Sequence, residues 1–316
     1  MTAFLVRRLG HACLVLLVVC TVTFGIVHAA PGGPALLADP KLSIAERAAI
    51  ARRLGVDRPI PVQYVRWLAQ LARGDLGTSF LYETSTLSTI AHRIPNTLLL
   101  AGTALLLTIG IAMPLAAWCA DRPGRWLDRW AEALSLGALS VPVFWLGIVS
   151  ILVVAVYARL LPAGGAETIG GGGGGVDRLR HLILPAIVLA TAGTAELFRY
   201  SRASARAQFG LPYVRTARAK GVGTTAVRWR HVMRNALIPA VTVIGLQLPR
   251  LVGGAAITET VFSWPGMGRL GIEAALARDY PLIMGITLIV SAGVLLASLL
   301  VDVAYVLLDP RVRPDA

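Results

Sequence analysis

Four long stretches without a charged side chain restrict most strongly how this chain can fold. Each is 22 to 27 residues long and contains no Asp, Glu, Lys or Arg: Leu9–Ala30, Ile94–Ala120, Ala133–Ala158 and Tyr280–Val301. A helix needs about 20 apolar residues to cross the hydrocarbon core of a bilayer. Only 15% of the 316 residues are charged, whereas a soluble domain carries about 25%. The sequence therefore predicts an all-α polytopic membrane protein.

Two more apolar segments are candidate membrane helices, but each contains ionisable residues. His181–Tyr200 contains Glu196 and Arg199, and Asn235–Thr258 contains Arg250. Counting both segments gives six transmembrane helices. Ionisable residues inside a membrane are costly and often mark functional positions. Two interpretations stay open: Glu196 pairs with Arg250 or Arg199, or these side chains line a passage through the membrane.

The arginines indicate the orientation of the chain. Short cytoplasmic loops are enriched in Lys and Arg. Arg7 and Arg8 precede the first apolar run, the short 121–132 loop carries three arginines, and Arg311 and Arg313 lie near the end. We therefore predict that both termini lie in the cytoplasm (N-in and C-in).

Three regions follow from this topology. Residues 1–30 hold the N-terminus and first transmembrane helix, 31–93 form an extracytoplasmic helical domain, and 94–316 form a five-helix core. Within the second region, Ser43 with Glu46 three residues later predicts a capped helix that ends at Gly55. The segment "PVQYVRWLAQLARG" predicts a second, amphipathic helix closed by Gly74.

The densest positive charge lies between the fourth and fifth apolar segments, in "YVRTARAKGVGTTAVRWRHVMR" at Tyr213–Arg234. The sequence contains no acid between Glu196 and Glu259. Topology and anionic headgroups account for the sign of the charge. Pro212 favours a helix over Tyr213–Lys220, and Gly221 with Gly223 ends it.

A second helix is predicted from Thr224 to Arg234, with an apolar face formed by Ala226, Trp229 and Val232/Met233. Such a helix pair can lie on the membrane surface or insert into a groove of a soluble partner.

Several motifs together resemble one family. Arg215-Thr216-Ala217, followed by Gly221, resembles the EAA loop of ABC importer permeases, and "YVRTARAKG…HVMRNALIP" resembles its dipeptide, oligopeptide and nickel branch. Other matching segments occur in the family's order: "DLGTS" at Asp75–Ser79, "RIPNTLLL" at Arg93–Leu100, "HLILPAIVLA" at His181–Ala190, "ITETVFSWPGMGRL" at Ile257–Leu270 and "LVDVAYVLLDPRVR" at Leu300–Arg313. Arg215 stands where the wider family has Glu, a departure that this branch shares.

The resemblance implies a coupling helix that docks in a cleft of a cytoplasmic ATPase, within a coupling loop at 206–234. The implied contact residues are Tyr213, Val214, Arg215, Thr216, Ala217, Arg218, Lys220 and Gly221. It also implies a second homologous permease, two ATP-binding cassette subunits and an extracytoplasmic substrate-binding protein as partners. We accordingly expect a multi-pass protein of the bacterial inner (plasma) membrane, in contact with membrane lipid, that carries peptides or related small solutes.

No catalytic or cofactor motif is present in the sequence. The Walker A pattern is absent, since neither Lys41 nor Lys220 has the required neighbours. The resemblance therefore implies ATP and magnesium on partner subunits, with no cofactor in this chain. The three cysteines lack metal-binding spacing, so we expect no metal site, and topology accounts for the basic charge without nucleic acid. The alternative function is a self-sufficient secondary transporter, which would need no coupling loop.

The segment Thr258–Gly268 is expected to form a re-entrant turn near an outer gate. Pro265, Gly266 and Gly268 disfavour a regular helix there. Irregular backbone at membrane depth is tolerated where protein buries it or where it lines a cavity. The candidate pathway or gate residues are therefore Glu196, Arg199, Arg250, Glu259, Phe262, Trp264 and Pro265.

Overall fold

The computed structural model describes residues 2–30, 33–38, 41–168, 170 and 173–308. Within these ranges, the side chains of 2–6, 9, 36, 38, 237–239, 250–254 and 304–308 are not described. The described part contains helices and no strand beyond an isolated bridge between Thr78 and Ser85. The protein is thus an all-α polytopic membrane protein, as predicted.

Twelve α-helices follow one another in the described chain. Their bounds are α1 Thr2–Ala29, α2 Ile44–Leu54, α3 Ile60–Leu71, α4 Thr86–Asp121, α5 Trp126–Ser140, α6 Val143–Ser150, α7 Gly175–Phe209, α8 Pro212–Ala219, α9 Thr224–Ala226, α10 Arg234–Val261, α11 Met267–Ala277 and α12 Tyr280–Leu308. A 3₁₀ turn covers Ala35–Ala38, and π-helical segments cover Ile151–Tyr157 and Val227–Met233.

Among the described residues, four helices are long and apolar enough to cross a membrane: α1, α4, α7 and α12. The number rises to six if each of two bent pairs counts as one span. One pair joins α5 to α6 with its π-helical extension and is bent by 103°. Val141 is extended there because the residue before a proline is pushed out of the helical region. The second pair is bent by 54° between Ala236 and Ala240.

The small helices after α1 form as their capping residues predict. Ser43 caps α2: its hydroxyl accepts a hydrogen bond from the Glu46 N–H, and its own N–H donates to the Glu46 carboxylate at 2.8 Å. The Ser43 hydroxyl also donates to the Glu46 carboxylate at 2.6 Å, and this bond, followed by the one from the Ser43 N–H, lowers the pKa of Glu46. Gly55 ends α2 in the left-handed conformation. The amphipathic α3 ends at Leu71, three residues before Gly74.

The contacts divide the chain into two compact units. The first comprises the chain through Thr97 together with Pro265–Leu295, and the second comprises Leu98–Trp264 together with the chain from Leu296. The first break lies close to the expected boundary at 93/94, but 265–295 packs with the earlier residues. The division into three functional regions stays a prediction.

The "DLGTS" motif organises the first unit through Asp279. The Ser79 hydroxyl donates to the Asp279 carboxylate at 2.5 Å, and the Leu81 N–H donates to the same oxygen at 2.9 Å. Gly77 has a φ of +79°, which permits the turn between Asp75 and Ser79. This motif therefore ties the segment before α4 to the start of α12.

The second unit is built from α4, α5, α7 and α10. Its largest apolar cluster includes Ala116 and Ala120 of α4, Leu197 and Phe198 of α7, and Val243 of α10. Alanines recur in it because helices in a membrane associate through close backbone approach, which small residues allow. The α8 region joins this cluster.

Candidate functional site

The helix α8 forms where the sequence predicts the coupling helix. Pro212 occupies its first turn, where the missing N–H costs nothing. Gly221 has a φ of +79°, and the Val222 N–H donates back to the Ala217 carbonyl at 3.1 Å. The chain therefore turns sharply after two helical turns.

The apolar side of α8 faces the membrane helices. Val214 is fully buried in the large apolar cluster, and Ala217 and Val222 pack against it. We expected Val214 and Ala217 among the residues offered to an ATPase. The core of this chain already covers the Val214 side chain, and the contact of these residues with an ATPase stays a prediction. Val214 therefore anchors α8.

The predicted second helix takes a different winding. After the single turn of α9, the chain is π-helical over Val227–Met233 and continues directly into α10. Val227, Val232 and Met233 are buried, whereas Trp229 is 45% exposed. A π-helix bonds residues five apart, so Val227 and Val232 share one face. The expected face through Ala226 and Trp229 assumed α-helical spacing and is wrong for Trp229.

A carboxylate at the end of α4 compensates part of the positive charge of the coupling loop. The Arg228 guanidinium lies 2.6 Å from Oδ2 of Asp121, and the Arg218 guanidinium lies 3.1 Å from Oδ1. The Asp121 side chain is 12% exposed and that of Arg228 is 15% exposed. One carboxylate thus links the coupling helix and the π-helical segment to the end of α4. We call these three residues the Asp121 clamp.

A second ionic group lies close to the same loop. Arg202 near the end of α7 bonds Asp128 at 2.5 Å and Glu132 at 3.1 Å, both on α5. Arg206 lies 3.6 Å from Asp128. These contacts hold the end of α7 against α5. The segment 121–132 therefore supplies acids as well as the arginines that indicate topology, and from Trp126 onward it belongs to α5 rather than to the predicted loop.

Tyr213 connects the two halves of the coupling loop. Its hydroxyl donates to Gln208 at 2.8 Å and accepts from the Asn235 amide at 3.1 Å. It also lies 3.3 Å from the carbonyl oxygen of His231. Gln208 precedes α8, and Asn235 lies in the first turn of α10. Tyr213 thus fixes the turn from both sides.

The outer face of α8 remains exposed and basic. Arg215, Thr216 and Lys220 are exposed. Within the described part of the chain, the side chains of Arg215 and Lys220 make no ion pair. A short helix anchored by Val214 and the Asp121 clamp therefore presents cationic side chains outward.

The ionisable candidates for the pathway lie in or near α7 and α10. The half-buried Glu196 and the exposed Arg199 border one cavity of about 600 Å³. Glu132 and Arg202 line the same cavity. The side chain of Arg250 lies outside the described residues, so the pairing of Glu196 stays a prediction.

The turn after α10 is irregular and buried. Glu259, Phe262 and Trp264 are almost completely inaccessible, and Pro265 is half-buried. Ser263 has a φ of +49°, and the Trp264 N–H donates to the Glu259 carbonyl at 2.7 Å. Protein therefore covers this non-helical backbone. Burial of this kind is a condition under which irregular backbone is tolerated at membrane depth. Its role as a gate stays a prediction.

A loop before α7 packs directly against this turn. The Gly165 N–H donates to the Phe262 carbonyl at 2.8 Å. A Cβ atom on Gly164 would lie only 2.6 Å from that carbonyl oxygen, so only glycine fits. His181 holds the loop through a 2.9 Å hydrogen bond to the Gly164 carbonyl.

Comparison with protein families agrees with this architecture. Residues 112–314 match the binding-protein-dependent transport system inner membrane component, and residues 1–101 match the N-terminal part of such components. The chain belongs to the binding-protein-dependent transport system inner membrane component family. It is therefore a permease subunit of an ABC importer rather than a self-sufficient secondary transporter.

Curated relatives match over nearly their whole length. The oligopeptide transport permease AppB of Bacillus subtilis is 40% identical, covering 99% of this chain and all of the relative. The dipeptide transport permease DppB of Escherichia coli K12 is 35% identical, covering 99% of each. The probable D,D-dipeptide permease DdpB of the same strain is 37% identical, covering 97% of this chain and 96% of the relative.

A solved structure shows the same fold. A chain of the inward-facing MetNI methionine ABC transporter superposes with a TM-score of 0.53. The match covers 71% of this chain and 97% of that chain at 17% identity. At this identity the likeness concerns the fold alone.

Proposed function

We propose that this permease forms half of the passage through which an ABC importer carries di- or oligopeptides across a bacterial inner membrane. The peptide permeases among its full-length relatives support this substrate class. A second homologous permease forms the other half, two ATP-binding cassette subunits bind ATP and magnesium, and an extracytoplasmic binding protein delivers the peptide. ATP hydrolysis takes place on those partners.

The observation that carries the coupling role is the two-sided construction of α8. Its inner side is fixed by Val214 and by Arg218 in the Asp121 clamp. Its outer side presents Arg215, Thr216 and Lys220. A rigidly held helix transmits displacement to the helices behind it. Movement of an ATPase cleft gripping the outer side would therefore reach α4 through Asp121 and α10 through the π-helical segment.

Charge reversal at Arg215 tests this function. Arg215 is exposed and makes no ion pair in the described part, so Arg215→Glu should leave the fold intact while reversing the charge offered to the docking cleft. We expect peptide-stimulated ATP hydrolysis of the full complex in proteoliposomes to fall about 10-fold or more, as loss of one strong interface contact implies.

The matched control is Arg129→Glu. Arg129 is exposed, lies in the predicted cytoplasmic 121–132 loop and makes no ion pair in the described structure. It should retain coupled hydrolysis. Equal activity of both variants would contradict the coupling role of α8, and unchanged coupling with loss of peptide uptake would contradict the assignment to docking.

A further inference from the structure

A basic pocket lies within the first unit. Its volume is about 320 Å³, and it opens between α2, α3 and the neighbouring ends of α1 and α12. Phe24 and His28 of α1, Trp67 of α3, and Tyr280 and Met284 of α12 form its inner wall. We call it the arginine pocket.

Four arginines give this pocket its charge: Arg52, Arg53, Arg58 and Arg66. None of the residues described around it is an Asp or Glu. Arg53 lies 3.8 Å from Glu83, but both side chains are largely exposed, so this pair is weak. The guanidinium groups of Arg58 and Arg66 have no carboxylate partner in the described part of the chain.

His28 on the inner wall is held by contacts within the protein. Its Nδ1 atom lies 2.8 Å from the Phe24 carbonyl oxygen, and its Nε2 atom lies 3.1 Å from Oε1 of Gln63. The Gln63 amide nitrogen donates to the Arg58 carbonyl at 2.7 Å, which turns the amide oxygen toward the imidazole. These two contacts fix the imidazole ring in the inner wall of the pocket.

Aromatic rings surround His28 where the apolar span of α1 ends. Phe24 stacks on His28 with ring centroids 3.8 Å apart, and Tyr280 lies 4.9 Å from His28. The apolar span of α1 runs from Gly10 to Ala29, so His28 lies at its very end. Aromatic and basic side chains gather where apolar helices meet the headgroups.

We propose that the arginine pocket binds the phosphate headgroup of an anionic phospholipid. Arginine recognises phosphate through charge-assisted, often bidentate hydrogen bonds. The same end of α1 leaves Val22 54% and Ile26 66% exposed, which provides apolar surface for acyl chains beside the headgroup. A phospholipid is the ligand that needs both surfaces. This inference does not depend on the transported solute.

Lipid retention by the purified full-length chain tests the proposal. Native mass spectrometry would compare phosphatidylglycerol with phosphatidylcholine carrying the same acyl chains. The variant Arg58→Gln/Arg66→Gln removes two guanidinium groups that have no carboxylate partner among the described residues. Each basic residue near a membrane surface contributes about fivefold to anionic lipid binding. We therefore expect wild type to prefer phosphatidylglycerol about 10-fold or more and the double variant to lose most of that preference.

The control Lys41→Gln/Arg73→Gln removes two charges from the same unit, outside the pocket, and should keep the preference. Equal retention of the two lipids by wild type, or an unchanged preference in the pocket variant, would overturn the proposal. Complete displacement of the lipid by an equal concentration of glycerol phosphate would indicate a free-phosphate site instead. Absence of lipid preference, with the pocket variant losing affinity for the purified binding protein, would assign the pocket to an acidic protein.

Discussion

At the scale of single residues, Asp121 is the residue that holds the two parts of the coupling loop to α4. It is the last residue of α4, and its two carboxylate oxygens bond arginines that follow it by 97 and 107 positions. Removing one partner of a poorly solvated ion pair leaves the other charge uncompensated, which costs more than the pair itself contributes. Asp121 should therefore govern both the stability and the coupling of this region.

We predict that Asp121→Asn lowers the free energy of unfolding by about 2 kcal/mol, the range for hydrogen bonds to charged groups. Arg228→Gln should cost a similar amount. The double variant should cost less than the sum, with a coupling energy of about 1 kcal/mol or more, because the two side chains share one interaction. Denaturation of the detergent-solubilised protein measures these differences.

The control cycle pairs Asp121→Asn with Arg230→Gln. Arg230 lies in the same π-helical segment, but it is exposed and has no ion pair among the described residues. Additive effects in this control and non-additive effects with Arg228 would support the clamp. Additivity in both cycles would contradict it.

The clamp also shows what a sequence leaves undetermined at this scale. The sequence around the basic loop contains no acid between Glu196 and Glu259. The compensating carboxylate comes from a helix about a hundred positions earlier, and no local pattern encodes that distance. Asp121, Asp128 and Glu132 were visible within 121–132, where three acids equal the three arginines in number, and this balance was the available signal.

At the scale of elements, the sequence predicted helix ends well where capping residues and glycines next to those ends determine them. Ser43, Glu46 and Gly55 bound α2, and Pro212 and Gly221 bound α8, because capping and left-handed backbone depend on adjacent residues. The winding of Val227–Met233 was missed. A π-helical turn forms when packing around Val227 and Val232 outweighs α-helical bonding, and that packing belongs to the assembled core.

Helix packing in the second unit depends on a glycine in α10. A Cβ atom on Gly245 would lie 2.6 Å and 2.8 Å from the two γ-methyl carbons of Val301 in α12. Valine cannot rotate both methyl groups away, since its χ1 is restricted in a helix. Gly245→Ala should therefore destabilise by about 1 to 3 kcal/mol through overpacking, although alanine is the better helix former.

The variant Gly245→Ala/Val301→Ala should recover most of the lost thermal stability, because it removes the two clashing methyl groups. Gly102→Ala is the control, since no atom lies within 4 Å of its added Cβ in α4. That variant should be neutral or slightly stabilising. A stable Gly245→Ala protein, or failure of the double variant to recover, would contradict the close approach of α10 and α12.

At the scale of the whole molecule, the protein is a permease subunit that works with the ATPase subunits of its transporter. The sequence lacks a Walker A motif and provides a basic loop whose inner side is anchored and whose outer side is exposed. The family match identifies the class of transporter, while its N-in orientation, its gate and its solute are predictions from charge, buried backbone and similarity. The central claim is that the outer side of α8 touches an ATPase.

Site-directed photo-cross-linking in native membranes tests that claim most directly. A photo-reactive amino acid would replace Thr216 on the exposed side of α8 or, as the control, Val176 at the start of α7, which is 75% exposed. We predict that position 216 cross-links to a subunit carrying a Walker A motif and that position 176, on the predicted outer side, does not. A cross-link to that subunit from position 176, or none from position 216 in an actively transporting membrane, would contradict the account.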